Sequence, residues 1–415
     1  MKQIYLTEYR RSRTPYVLTT HERDLISRHI NSIAIEPARR TPGAYYLTPT
    51  SIVGALELDT LAIQIKPKIS IKHLLFLISY SLDPDNWLDT DFDLTEDSSL
   101  SEAIAPAFLR HLKTVFSRSM LQGYKRREDT VNTVQGQIRF SDQIRKRFGI
   151  MLPIEVTYDE FTEDIVENQL IKAALIRLLN CRVRSSQISR ELKRYVLAFD
   201  SVSRVAFDPH HLPEVKFNRR NNRYKHAVQI ARLILRSSSF DQSSGNVRAR
   251  SFLVDMNQVF EDFVVVALRE NLGLSTYSFP QNADGRTLTL DDQRRIRLKP
   301  DISWWKNGRC CFVGDVKYKS LNRQARNADI YQVLSYAVAT QLPMGILIYA
   351  KDQATPYIRS ESHNISLADK QLRVVALDLA NRPEDILIQI NEIGDLIREH
   401  VLTAIDDQPT ESSVL

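Results

Sequence analysis

The sequence predicts a multidomain α/β protein. It has a β-rich N-terminal region over residues 1–98, a mixed and mostly helical middle region over 99–245, and a C-terminal α/β domain over 246–405, followed by a disordered tail at 406–415. Three observations carry this prediction. Before residue 70, short runs alternate apolar and polar side chains, the period of half-buried strands. Between 163 and 236 the apolar spacing changes to the three-and-four rhythm of helices. Beyond a Ser/Gly-rich stretch at 237–245, a helix, a hairpin, a helix, two strands and a helix follow one another.

In order, Ile33–Glu36 and Leu61–Lys68 read as strands, with Thr41-Pro42-Gly43 as turn chemistry between them. Residues 71–82 read as a helix. Asp83–Asp97 holds seven acidic residues and no basic one. This is the composition of a solvated loop, with an electrostatic dock for a basic partner as the other reading. Leu100, Ile104, Phe108, Leu112, Val115 and Phe116 fall on one face of a helix over 100–120. Residues 121–158 return to strands, including Thr133–Phe140. Helices are expected over 163–179, 186–199 and 224–236, with Pro209 and Pro213 in a loop. Past the linker, a helix should run from Phe252 to Glu270 and stop at Asn271 and Gly273. The hairpin comes next, then a helix near 326–341, strands at 345–349 and 372–377, and a helix over 383–404.

Composition narrows the chemistry. At 415 residues, 43% hydrophobic and 26% charged, the chain has the balance of a globular protein of two or three domains. The formal charge of +6 is compatible with a nucleic-acid partner. Cys181, Cys310 and Cys311 form no CxxC, so no zinc site or disulfide scaffold is indicated, and a reducing cytoplasm is the expected location. The longest apolar run, His73–Tyr80, is too short to span a bilayer, and no membrane role is expected. No GxxxxGK[ST] occurs, so any nucleotide hydrolysis falls to a partner.

The chemistry concentrates in the hairpin Leu298–Lys319. Its first strand begins at Pro300-Asp301, and its second carries Asp315-Val316-Lys317. Magnesium takes carboxylate and water oxygens, often with one or two carboxylates from protein. A lysine beside it can stabilise charge developing on a phosphate. Asp315 and Lys317 stand two apart on a strand and so share a face. Asp301 joins them only with the right register. A two-residue Asn307-Gly308 turn pairs Asp301 with Gly314, on the wrong face. A three-residue connection, Lys306-Asn307-Gly308, pairs it with Val313 and brings all three together. A bulge at Gly314 would do the same. The shared face is the expectation.

Flanking residues add to this. Glu261 sits in the apolar run Val259–Val265, where a carboxylate needs a partner or a metal unless it faces solvent with Asp262. Gln332 and Tyr336 share a helix face and either brace the site or touch DNA. Arg286, Arg294, Arg295, Arg297 and Lys299 precede the first carboxylate, and Lys319, Arg323 and Arg326 follow the second, as a phosphate-tracking surface or a solvated rim.

Helix-Glu, Pro-Asp, Asp-x-Lys and Gln-x-x-x-Tyr, in this order, resemble the PD-(D/E)xK nuclease fold. More narrowly, the chain resembles the McrC family, the nuclease subunits of McrBC-type modification-dependent restriction systems. Upstream, the likeness includes Ile63–Ile69, Val134–Phe140 and Tyr158–Asn168. Val316 stands where the family often has alanine, and Gln137 where arginine is common. The resemblance implies that Asp301 and Asp315 are metal ligands, Lys317 the catalytic lysine, and Glu261 an accessory acid and further ligand. It leaves Gln332, Tyr336, Arg297, Lys299 and Lys319 as supporting or DNA-contacting residues. It also implies Mg2+, with Mn2+ substituting, and double-stranded, methylated DNA. The implied partner is an McrB-like AAA+ hexamer that binds GTP or ATP and on which the N-terminal region docks. The alternatives are a non-catalytic adaptor of the motor with a structural nuclease fold, and a stand-alone nuclease.

Overall fold

The computed structural model describes residues 1–29, 32–57, 60–82, 84, 100–148, 150–181, 185–209, 211–236, 250–283, 285–319, 323–351 and 360–406. The acidic stretch Asp83–Asp97 (save Pro84), the 237–245 linker and the tail beyond Asp406 lie outside them. The chain is multidomain and mixed α/β: residues 1–100 with 240–415 make one compact unit, and 101–239 another.

The first unit opens with β1 (Lys2–Thr7), β2 (Tyr16–Val17), α1 (Thr20–His29), β3 (Ile33–Pro37), β4 (Ala44–Pro49), β5 (Ile52–Glu57), β6 (Leu61–Lys66) and α2 (Ile71–Leu82). A capping box starts α1: the Glu22 N–H donates to Thr19 Oγ1 and the Thr19 N–H to Glu22 Oε2. On β6, Leu61, Ile63 and Ile65 are buried while the residues between are half-exposed, the alternation read from the sequence. These side chains join Ile4, Leu6, Leu47, Ile52 and Leu56 in one core.

The second unit contains α3 (Leu100–Val115), β7 (Gly123–Val131), β8 (Gln137–Ile138), α4 (Phe140–Arg147), β9 (Ile154–Thr162), α5 (Val166–Asn180), α6 (Ser186–Ala198) and α7 (Lys225–Arg236). Its sheet has the order β7-β9-β8. The strand expected over 133–140 shrinks to β8, because α4 starts at Phe140. Arg139, Lys146 and Arg147 converge on the buried Glu155 carboxylate of β9 at 3.1, 3.3 and 3.2 Å, which draws this segment into a helical turn over the strand.

The chain then returns to the first unit through β10 (Arg250–Asp255), where a helix from Phe252 was expected. The strand pairs antiparallel with β5, Leu253 opposite Gly54. Gly54, at φ +123°, makes this possible: a Cβ there would lie 2.0 Å from the Phe252 carbonyl oxygen. The helix α8 (Met256–Leu272) begins only after Asp255, whose side chain caps it, and ends at left-handed Gly273. Thus residues 1–98 and the C-terminal stretch share a four-stranded sheet, β1-β6-β5-β10. On α2, Phe76 and Tyr80 meet Phe263 of α8 edge-on, each with ring centres 5.4 Å apart.

The remaining elements are β11 (Leu288–Thr289), β12 (Arg297–Leu298), β13 (Ile302–Lys306), β14 (Arg309–Lys317), α9 (Arg323–Ala339), β15 (Met344–Ala350), β16 (Ser360–Ile365), β17 (Lys370–Leu377) and α10 (Pro383–Asp406). A five-stranded sheet has the order β13-β14-β15-β17-β16. Its centre, β14-β15-β17, is parallel and its two edges are antiparallel. On α9, Val333 packs with Leu347, Tyr349, Leu372 and Val374 on one sheet face. Asp315 and Lys317 pair with Leu347 and Tyr349 and so open onto that same face. Among the described residues no helix is long and apolar enough to cross a membrane.

Candidate active site on the β13–β14 hairpin

Asn307 and Gly308, at φ 51° and 78°, form a two-residue turn, with Lys306 opposite Arg309. The expected three-residue connection is absent. The register still shifts by one, because Trp305 pairs with Cys310 and Trp304 with Phe312, leaving Cys311 as the extra residue. The bulge thus falls at Cys311 rather than Gly314. It brings Ile302 opposite Gly314, so Asp301, one residue earlier, comes level with Asp315 on the same face.

The side chains converge accordingly. Lys317 Nζ ion-pairs with Asp315 Oδ2 and lies 3.7 Å from Asp301 Oδ2. Asp301 Oδ2 accepts a 2.8 Å hydrogen bond from the Val316 N–H. Asp315 is fully buried. Burial, and then the charge of Asp301, pushes its carboxyl up to about 8. Burial alone would lower Lys317, but Asp315 and Asp301 outweigh it and raise the ammonium above its ordinary range.

Glu261 and Asp262 do not both face solvent. Glu261 is half-buried and Asp262 is buried. Gln281 Nε2 donates to Glu261 Oε1 at 2.9 Å and to Asp262 Oδ1 at 2.7 Å, and Asn282 Nδ2 donates to Glu261 Oε1 at 2.8 Å. Burial, then Asp301, raises the Glu261 carboxyl. The Asn282 N–H also donates to the Asp301 carbonyl at 3.1 Å, so one loop ties Glu261 to the start of β13. Sequence reasoning missed Gln281 and Asn282. Their only signal was a polar pair after the apolar Phe279-Pro280.

Of the other candidates, Gln332 and Tyr336 act as braces. Gln332 Nε2 donates to Tyr336 Oη at 2.6 Å, and the Tyr336 hydroxyl donates to the Lys299 carbonyl at 3.0 Å, holding the approach to Asp301. Burial, then Asp315, raises the Tyr336 hydroxyl and keeps it protonated. Lys319 was expected among residues supporting the site or meeting DNA, and its ammonium is engaged internally. It lies 2.8 Å from Asp329, a buried carboxylate that also accepts from Tyr349 Oη at 2.6 Å. Arg297 and Lys299 are exposed beside the cluster.

The donor set suits a hard divalent ion. Asp315 Oδ1 is buried without a hydrogen-bond partner among the described residues, which is costly for a carboxylate unless a cation meets it. No group of three His, Cys, Asp or Glu close enough to hold an ion occurs among the described residues. Glu261 therefore stands beside the Asp301/Asp315 pair without completing a three-carboxylate cage. Two carboxylates with water filling the remaining positions is the habit of magnesium.

Residues 47–350 match the protein family described as McrBC 5-methylcytosine restriction system component. The chain is 18% identical over 283 residues to the Type IV methyl-directed restriction enzyme EcoKMcrBC of Escherichia coli (strain K12), covering 65% of this chain and 81% of that protein. It is similar, at TM-score 0.55 and 18% identity, to a half-complex from the tetradecameric assembly of Thermococcus gammatolerans McrB AAA+ hexamers with bound McrC, over 95% of this chain and 100% of that one. A second similarity, at TM-score 0.36 and 19% identity, is to the Thermococcus gammatolerans McrBC complex, over 65% of this chain and 88% of that one.

Proposed function

The chain belongs to the McrBC 5-methylcytosine restriction system component family. We propose on that premise that it is the magnesium-dependent DNA endonuclease subunit of a modification-dependent, type IV restriction complex. The observation that carries the nuclease reading is the convergence of Asp301, Asp315 and Lys317 across the bulged hairpin, with Asp315 Oδ1 left unpartnered. A PD-(D/E)xK fold fits a β13–β14 hairpin that carries these residues, with α8 and α9 supplying Glu261, Gln332 and Tyr336.

Asp301 and Asp315 would hold the ion, and Glu261 would act from beside them as an accessory acid. When bound, magnesium polarises the phosphoryl oxygen and activates a water. The chain's own groups do the rest. Lys317 carries a fixed positive charge 3.7 Å from Asp301, where it can meet charge growing on a phosphate. The Val316 N–H holds the Asp301 carboxylate and Tyr336 holds the backbone at Lys299 just before it, so the carboxylate need not reorganise during reaction. The partner is an McrB-like AAA+ hexamer that hydrolyses GTP or ATP, and the substrate is double-stranded, methylated DNA. The solved neighbour, in which McrC is bound to McrB AAA+ hexamers, supports that choice of partner.

The test mixes the full chain with its AAA+ partner, magnesium, GTP or ATP, and methylated or unmethylated duplex. Cleavage should need the partner and nucleotide. Asp315→Asn should abolish it while leaving stimulated nucleotide hydrolysis intact. Wild-type cleavage by Asp315→Asn would overturn the site. Stimulation without any cleavage by the wild type would indicate the adaptor, and cutting without partner or nucleotide the stand-alone nuclease.

A further inference from the structure

The β11–β12 ribbon stands outside the carboxylate cluster but runs directly into it, through Lys299 and Pro300 to Asp301. Leu288 pairs with Leu298 and Thr289 with Arg297. The Leu290 N–H then donates to the Ile296 carbonyl at 2.9 Å, continuing the ribbon outward. By the period of two, Leu288, Leu290, Ile296 and Leu298 share one face and Arg297 leaves from the other. The inner pair is half-buried, and Leu298 packs toward Val313 and Tyr336. The outer pair, Leu290 and Ile296, is 41% and 52% exposed.

The tip is ordered by its own chemistry. Asp291 Oδ1 accepts from the Arg295 and Ile296 N–H groups at 2.9 and 2.7 Å, with Arg294 at φ 55°. At the root, Arg286 lies over the rings of Tyr277 and Trp305 at 4.5 and 5.0 Å. Arg294, Arg295, Arg297 and Lys299 are all exposed on this ribbon, against Asp291, which caps the turn and pairs with Arg295 (Nε to Oδ2, 3.7 Å), and Asp292. Exposed arginines beside an exposed Leu/Ile pair make a mixed cationic and apolar surface. A duplex uses both. A two-stranded ribbon fits a groove, arginines meet phosphates, and small apolar wedges press on sugars and base edges.

We propose that β11–β12 is a duplex-binding finger. Leu290 with Ile296 seats on the groove, while Arg294 at the tip and the long side chains of Arg295 and Arg297, reaching round the ribbon's edge from its other face, grip the flanking phosphates and deliver the backbone toward Asp301. The delivery rests on the nuclease reading given above, whereas the binding does not.

The test measures fluorescence anisotropy of a labelled duplex of about 30 base pairs, roughly three helical turns, with the full chain across a salt series. The variant R294A/R295A/R297A should flatten the slope of log affinity against log salt by about 2.7, since each phosphate contact contributes about 0.9. The variant L290S/I296S should lose about tenfold in affinity at every salt concentration with the slope unchanged, because apolar contact releases no counterions. Both change exposed side chains, and unchanged thermal melts establish that they fold. An unaltered slope in the arginine variant overturns the proposal. So does an apolar variant that keeps its DNA affinity and instead fails to assemble with the AAA+ partner. Asp315→Asn is run alongside as the cleavage control. If it cut DNA normally, the nuclease reading would fall while the ribbon result stood, and wild-type cleavage by the arginine variant with intact binding would do the reverse.

Discussion

Asp315→Asn is expected to make the metal-free protein more stable, and increasingly so as pH rises. Asp315 is fully buried, its Oδ1 meets no hydrogen-bond donor among the described residues, and burial pushes the carboxyl up to about 8. A carboxyl raised in the folded state keeps a proton there that the unfolded chain has released. Its contribution to stability is therefore whole below about pH 4 and is lost progressively as pH climbs toward about 8. The loss can reach about 1.4 kcal/mol for each pH unit, an upper bound of about 5.5 kcal/mol across that window. Lys317 offsets part of the buried charge and loses its closest partner in the variant, so a net gain of about 1–3 kcal/mol is a reasonable expectation. At about 2–4 °C per kcal/mol for a unit of this size, the variant should melt about 2–12 °C above the wild type at pH 8 and close to it at pH 4.5. Differential scanning calorimetry in EDTA across that range reads this directly. Added magnesium should favour the wild type alone, by about 1.4 kcal/mol at ten times its dissociation constant. A difference that stays flat with pH, or an Asn variant less stable throughout, would refute the claim that Asp315 is held at an electrostatic cost.

Two further outcomes follow from the packing. Tyr336→Phe removes the hydroxyl that links Gln332 to the Lys299 carbonyl; urea unfolding should register a loss of about 1–2 kcal/mol. Single-turnover cleavage by the assembled complex should fall about tenfold as Asp301 loosens, a barrier increase of about 1.4 kcal/mol. Gly54→Ala should cost more than about 3 kcal/mol, since its Cβ would sit 2.0 Å from the Phe252 carbonyl at a φ that L-residues rarely adopt. Thermal denaturation followed by circular dichroism would show a lowered midpoint, and an unchanged one would remove Gly54 from the account of the β5–β10 seam.

The shared face of Asp315 and Lys317 was legible because a strand's period is local. The position of Asp301 was not, because register is a property of two strands and one extra residue can be absorbed anywhere along them. The chain absorbs it at Cys311, whereas the local sequence points to Gly314, the residue type that bulges favour. For β10, Phe252–Val254 continues without a break into the apolar start of α8, and only the tolerance of distant Gly54 turns those residues into a strand. Lys319 looked like one more surface cation because its partner, Asp329, stands ten residues later, on α9. The long helices were the most legible elements: α2, α5, α6, α7 and α10 begin and end within a few residues of where their apolar spacing put them. Short or polar strands such as β11 and β16 carry no such signal.

The seam between β5 and β10 bears on how the chain is made. Val53 pairs with Val254, about 200 residues later. At ribosomal speeds of about 5–20 residues per second, β5 waits on the order of 10–40 s for its neighbour to be synthesised. During that time it is the edge of its sheet, with the backbone amide and carbonyl groups that will meet β10 open to any passing strand. Residues 101–239 form their own compact unit and can fold within that interval, shortening the loop that must close when β10 emerges. A chain cut before residue 250 would keep that edge unpaired for good, which marks it as a substrate for chaperones and for aggregation.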